Sequence, residues 1–209
     1  MRTQLLIGGL VGFLIVSPGG WVMAETGADR DPTAVKTLKK ATFAGGCFWC
    51  MEAPFEQLEG VVSVRAGYSG GTKADPTYEE VSLGTTGHAE ALEITYDPSK
   101  VSYASLLDVF WRNVDPTTPN QQFADVGSQY RTVIFYHDEE QRRLALKSKA
   151  DMERSGKVHR PIVTEIVLVG VFYQAEDYHQ NYHKKNPLRY KLYRKGSGRE
   201  DYINKVWGQ

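Results

Sequence analysis

Three observations predict a mixed α/β fold of the α+β kind, with helices packed against one mixed sheet. Short runs rich in β-branched and aromatic residues alternate with helix-period stretches in the order strand, helix, strand, strand, helix, strand, helix, strand. The second and third strands have no long crossover helix between them, which disfavours a doubly wound parallel sheet and suggests a split βαβ, ferredoxin-like arrangement. Residues 40–209 are also the size of one domain with a full hydrophobic core.

The elements follow in chain order. Lys40–Ala44 reads as the first strand, and Met51–Glu59 as a helix after the glycine- and cysteine-rich turn. Gly60–Tyr68 is the second strand, ending at the loop Ser69-Gly70-Gly71. A short helix over Pro76–Val81 precedes the third strand, His88–Tyr96, which stops at Asp97-Pro98. Ser102 can cap a helix that runs to Asn113, with Leu106, Leu107, Phe110 and Val114 at helical spacing. Asp115 to Gln129, with Pro116 and Pro119, is expected to be a long loop, a class of segment that is often functional. The fourth strand is Arg131–Tyr136, and Asp138 opens a charged helix, Glu139–Arg154, that Gly156 can end. A fifth strand over Ile162–Val169 and a short helix over Ala175–Tyr182 follow, and then a long C-terminal coil.

The chain has 209 residues and a formal net charge of zero. Its start, Met1-Arg2-Thr3-Gln4, the apolar run Leu5 to Val16, and small residues at Val22 and Ala24 together predict a secretory signal peptide over 1–24. An exported protein, periplasmic or secreted, follows from that reading, with an uncleaved membrane anchor as the alternative. Residues 25–39 are polar and without periodicity, as in a disordered spacer. Removing residues 1–24 takes away one base, Arg2, and no acid, which leaves a net charge of −1. Such a domain has no electrostatic footprint for nucleic acid. The basic residues from Lys184 to Arg199 fit a solvated tail as well as an anionic partner. A monomer is expected.

Both cysteines fall in Gly45-Gly46-Cys47-Phe48-Trp49-Cys50, between the first strand and the first helix. A thiol there faces unpaired backbone N–H groups at the positive end of the helix dipole, which favours the thiolate. Cys47 therefore reads as a nucleophile, with Cys50 one turn away to capture its product. A structural disulfide is an alternative, though closing about four residues stabilises by only about 2 kcal/mol. A metal half-site completed by His179 and His183 is another, at a sequence separation far larger than zinc fingers use.

On the third strand, alternation places His88, Glu90, Leu92, Ile94 and Tyr96 on one face and Ala89, Ala91, Glu93 and Thr95 on the other. A carboxyl among apolar neighbours holds its proton to higher pH, as a general acid must. Glu90 could instead reach water at the strand end or pair with Arg65. Phe48 and Trp49 read either as core residues or as walls for a small apolar group near the sulfur. Tyr78, Tyr130 and Asp125 are not separable from other loop residues by pattern.

Gly46-Cys47-Phe48-Trp49-Cys50 resembles the signature of the A-type peptide methionine sulfoxide reductases. Five more segments fit that family in order: 68–71, 76–81, 87–90, 125–131 and 175–180, so the resemblance covers about 40–190. The resemblance implies that Cys47 attacks the sulfoxide sulfur and Glu90 protonates its oxygen. It implies that Tyr78 and Tyr130 hydrogen-bond that oxygen and that Asp125 shapes the pocket. Phe48 and Trp49 would then enclose the methyl group. Many members carry resolving cysteines near the C-terminus, and this chain has none after Cys50. Cys50 is then the resolving thiol, and an external dithiol donor of the thioredoxin kind recycles the pair with no bound cofactor or metal. The implied substrates are free methionine S-sulfoxide and oxidised proteins. A thioredoxin-like disulfide oxidoreductase, with no need of Glu90, is the competing reading.

Overall fold

A computed structural model describes residues 37–208. The expected signal peptide and all but the end of the spacer lie outside the described residues. In chain order the elements are β1 (Lys39–Gly45), α1 (Phe48–Glu56), β2 (Val61–Ser69), α2 (Tyr78–Ser82), β3 (Ala89–Tyr96) and α3 (Tyr103–Arg112). Then come β4 (Gln121–Gln122), β5 (Asp125–Val126), a single 3₁₀ turn (Ser128–Tyr130), β6 (Thr132–Tyr136), α4 (Glu139–Arg154), β7 (Glu165–Leu168) and β8 (Tyr173–Gln174). The chain ends in α5 (Tyr182–Lys185), α6 (Pro187–Gly196) and α7 (Arg199–Trp207).

The main sheet has the order β7-β6-β1-β3-β2-β8. Its four inner strands, β6-β1-β3-β2, pair antiparallel as the split βαβ reading requires. β7 joins β6 in parallel after the α4 crossover, which makes the sheet mixed. One face carries the large core of Phe43, Leu92, Ile94 and Tyr96 against Phe48, Phe55, Leu106 and Phe110 of the helices. The other face carries Ala44, Ala89, Ala91, Val133 and Phe135, covered by Val169 and Phe172. The small side chains there let the covering loops approach closely.

Local chemistry sets the helix starts. Ser102 accepts from the Ser105 N–H at 3.0 Å, and Asp138 accepts from the Gln141 N–H at 2.7 Å. Thr77 and Glu80 form a reciprocal capping box that begins α2. Gly156, at φ +69°, follows the end of α4 in the left-handed conformation that suits glycine.

Four expectations are corrected. The first helix begins at Phe48, not Met51, so Phe48, Trp49 and Cys50 are its first turn. The loop after α3 contains the β4–β5 hairpin. Residues 175–181 are not helical, because this segment serves the edge of β2 instead. The Ala175 N–H bonds Ala66 O at 2.9 Å, and the Gln180 amide both accepts from Ala66 N and donates to Ala66 O at 2.9 Å. A side chain thus takes the ladder bonds a neighbouring strand would make. The C-terminus is not a coil but α6 and α7. No residue of α6 is buried, so it lacks the apolar stripe by which such a helix is recognised.

Candidate active site

The turn from β1 into α1 is built on glycine. Gly46 has φ +82°, and a Cβ there would lie 2.5 Å from Gln122 Cβ, so a side chain at this position is excluded twice over. Cys47 follows as the N-cap residue of α1, and Cys50 lies in the first turn, where its N–H bonds Cys47 O at 3.0 Å. Both thiols are buried, 5 % and 1 % exposed, and near enough for each to shift the other's pKa. They are free cysteines in this structure.

The charge state of Cys47 departs from the expected one. Burial pushes its thiol well above the ordinary range, and the hydrogen bond to Cys50 and the charge of an ionised Glu90 push the same way. Two amides at the helix start bond other acceptors, the Phe48 N–H to Glu90 and the Cys50 N–H to Cys47 O. The Phe48 N–H donates to Glu90 Oε2 at 3.0 Å, and no N–H caps the Cys47 side chain. Cys50 is lowered, first by the hydrogen bond from Cys47 and then, against its burial, by the charges of Arg199 and Arg194.

Glu90 sits in β3 beside the start of α1 and is 2 % exposed. Burial raises its carboxyl from 4.5 to about 8, opposed by the Phe48 N–H and assisted by Asp125 and Cys50. It therefore keeps its proton at neutral pH. Arg65 does not reach it. Arg65 and Lys40 pair with Glu93 on the opposite face of β3, as the alternation demands.

Tyr78 and Tyr130 lie near Glu90, whose charge raises both phenols after burial has done so, Tyr78 to about 12. Both remain O–H donors throughout the neutral range. Asp125 is raised by burial, and its Oδ1 accepts from the Tyr193 hydroxyl of α6. Phe48 is 1 % exposed and belongs to the main core, its ring 6.1 Å from Tyr68 and 4.9 Å from His179. Trp49 is only half-buried and stacks on Tyr182 at 3.8 Å between ring centroids. Cys47, Glu90, Tyr78, Tyr130 and Asp125 thus influence one another electrostatically.

Several contributors were not singled out as site residues from the sequence. Trp49 Nε1 donates to Nδ1 of the fully buried His179 at 3.0 Å. That bond places the His179 proton on Nε2, and burial lowers the pKa of the ring, so it stays neutral. Glu176 accepts from the Tyr68 hydroxyl and from the Tyr78 N–H, both at 2.8 Å, and so pins the Tyr78 loop to β2. His183, the other histidine of the proposed metal half-site, faces Glu52 and Glu56 at 3.3 and 3.2 Å. Tyr193 could have been found only by knowing that α6 folds back over the redox turn.

The arrangement suits attack by a buried sulfur on an electrophile whose oxygen needs a proton. Comparison with known proteins agrees. The family model described as "Peptide methionine sulfoxide reductase" matches residues 39–209. The peptide methionine sulfoxide reductase MsrA of Bacillus licheniformis is 53 % identical over 169 residues, which cover 81 % of this chain and 93 % of that one. The crystal structure of reduced Mxr1 from Saccharomyces cerevisiae is similar at a TM-score of 0.67 and 34 % identity, over 72 % of this chain and 86 % of that one. Mxr1 in complex with Trx2 is similar at a TM-score of 0.50 and 25 % identity, over 68 % and 84 % of the two chains.

Proposed function

The chain belongs to the peptide methionine sulfoxide reductase family, and on that footing we propose that it reduces methionine S-sulfoxide, free or in proteins, through Cys47 and Glu90. The observation that carries this reading is the buried carboxyl of Glu90, held at 3.0 Å by the amide of the residue next to Cys47.

Glu90 gives its proton to the sulfoxide oxygen while the Tyr78 and Tyr130 hydroxyls hold that oxygen in place. A neutral Glu90 also removes the like charge that would oppose ionisation of Cys47. The Cys47 sulfur attacks the sulfoxide sulfur to form a sulfur–sulfur bond, which breaks together with the substrate S–O bond as the protonated oxygen passes to Cys47, giving a sulfenic acid. Counted overall, the thiol hydrogen is carried onto that oxygen, so Glu90 is restored. Methionine leaves with its sulfur reduced. Trp49, fixed by His179 and Tyr182, supports the methyl group, and Asp125 with Tyr193 closes the wall beside it.

Cys50 then displaces water from the sulfenic acid. Both cysteines stand at the start of one helix, Cys47 as the N-cap and Cys50 in the first turn, so the two sulfurs that form the disulfide belong to one local element. A thioredoxin-like dithiol reduces it by exchange, a reading supported by the likeness to Mxr1 solved with Trx2. Export by residues 1–24 is part of the same proposal and rests on their sequence alone.

The test supplies purified protein and dithiothreitol with the two epimers of a methionine sulfoxide compound separately. Loss of the S epimer alone supports the reading. Reduction of protein disulfides with no sulfoxide turnover would favour a plain disulfide oxidoreductase.

A further inference from the structure

Beside the redox turn lies a buried cation whose hydrogen-bond acceptors are all uncharged. Arg199, the first residue of α7, is 1 % exposed. Its guanidinium donates to Gly45 O and Met51 Sδ, each at 3.1 Å, and to Asn113 O. Its Nε has no acceptor among the described residues. A Cβ at Gly46 would lie 3.1 Å from Arg199 Nη2, so the charge rests against the peptide that leads into Cys47. Arg194, from α6, donates to Cys50 O at 2.7 Å. Asp125 feels the Arg199 charge through space, but its Oδ1 is already engaged by Tyr193. A guanidinium stays charged even when buried, and burial without a bonded anion is costly. The Phe123 ring lies against the guanidinium, its centroid 4.6 Å from Cζ, and no bonded anion neutralises the charge among the described residues.

We infer that Arg199 is the positioning counter-ion of the Cys50 thiolate in the step that resolves the Cys47 sulfenic acid, an inference that rests on the reductase reading above. In that step the Cys50 sulfur attacks the Cys47 sulfur, the S–S bond forms and the S–O bond breaks. The departing hydroxide takes the proton that Cys50 gave up on ionising and leaves as water. Cys50 is oxidised and the sulfenic sulfur is reduced, with no other oxidant or reductant required. The titratable and charged groups that act on Cys50 come from five elements: Cys47 at the start of α1, Glu90 of β3, Asp125 of β5, Tyr190, Tyr193 and Arg194 of α6, and Arg199 of α7. Of these, Arg199 and Arg194 alone are cations. Only Arg199 is fully buried.

The experiment uses the full chain carrying Cys47→Ser, in which Cys50 is the sole thiol, and follows its alkylation by iodoacetamide against pH. Adding Arg199→Met should raise the alkylation midpoint by about one pH unit or more, and Arg199→Lys should keep most of the low value. Equal midpoints for Arg199→Met and its parent would overturn the inference. Should Arg199→Met fail to fold, the folded Arg199→Lys protein is compared with its parent unfolded in urea. A lower midpoint in the folded protein supports the assignment, and one at or above the unfolded value overturns it. This readout needs no sulfoxide. Failure of the reductase reading would show separately, as absence of methionine release from the two-cysteine protein.

Discussion

The backbone N–H of Phe48 donates to the carboxyl of Glu90 at 3.0 Å, which joins the first turn of α1 to β3 across a water-poor space. This one bond fixes the acid beside the nucleophile. It also removes a first-turn amide from the field that would otherwise act on Cys47. The site therefore rests as a thiol and a carboxylic acid, not as a thiolate and a carboxylate, and the substrate completes the circuit.

Replacing the cysteines should separate their roles. Cys47→Ser abolishes sulfoxide reduction, since a hydroxyl is a far weaker nucleophile than a sulfur. Cys50→Ser retains a first turnover and releases one methionine per enzyme, leaving Cys47 as a sulfenic acid. Counting methionine released without reductant checks this. A Cys50→Ser protein that releases none would reverse the assignment.

Much of this was legible in the chain, for reasons particular residues make plain. The alternation His88 to Tyr96 correctly set Glu90 on the core face and Glu93 on the other, because a pleated strand with two buried faces leaves no freedom of register. Ser102, Asp138 and Gly156 marked helix ends through local bonds that sequence neighbours alone can make. What stayed hidden depends on distant partners. Gln180 replaces a strand by bonding Ala66 from 114 positions away. Likewise α6 is held through Tyr193 on Asp125 and Arg194 on Cys50, not by an apolar face. The charge state of Cys47 is hidden for the same reason, because burial and the Glu90 acceptor outweigh the helix dipole only once the fold is closed.

His179 should act on substrate binding through Trp49. His179→Phe keeps a ring among Phe48, Tyr78 and Tyr178 but removes the acceptor for the indole N–H. Loss of one such bond is worth about 1 kcal/mol, so KM for the sulfoxide should rise roughly fivefold with a smaller change in kcat. Steady-state kinetics check this, and a fall in kcat at constant KM would contradict the positioning role.

Glu90 should also leave a mark on stability. Its folded pKa, about 8, lies above the ordinary 4.5, so the folded protein holds a proton that the unfolded chain has lost. Its contribution to stability is thus fully present below pH 4.5 and falls between about 4.5 and 8, by at most about 1.4 kcal/mol per pH unit. Glu90→Gln cannot ionise, and the variant should gain on the parent steadily across that window. Urea unfolding at a series of pH values measures the difference. A gap that stays constant with pH would show that Glu90 titrates normally.

Export predicts a particular mature end. Cleavage after Ala24 gives a protein that begins at Glu25, which N-terminal sequencing of protein from its native compartment reads directly. Met1 on cytoplasmic protein would overturn export and leave the chemistry untouched.

The most direct test of the account is a pair of rates on wild type and Glu90→Gln, one for sulfoxide turnover and one for reduction of the Cys47–Cys50 disulfide. A sulfoxide oxygen leaves poorly until protonated, so loss of the acid should slow sulfoxide turnover about 10²–10⁴-fold at neutral pH, with partial recovery as the pH falls. Disulfide reduction by an external dithiol involves no such oxygen and should change far less. Equal sulfoxide rates in the two proteins would contradict the account and remove Glu90 from the mechanism.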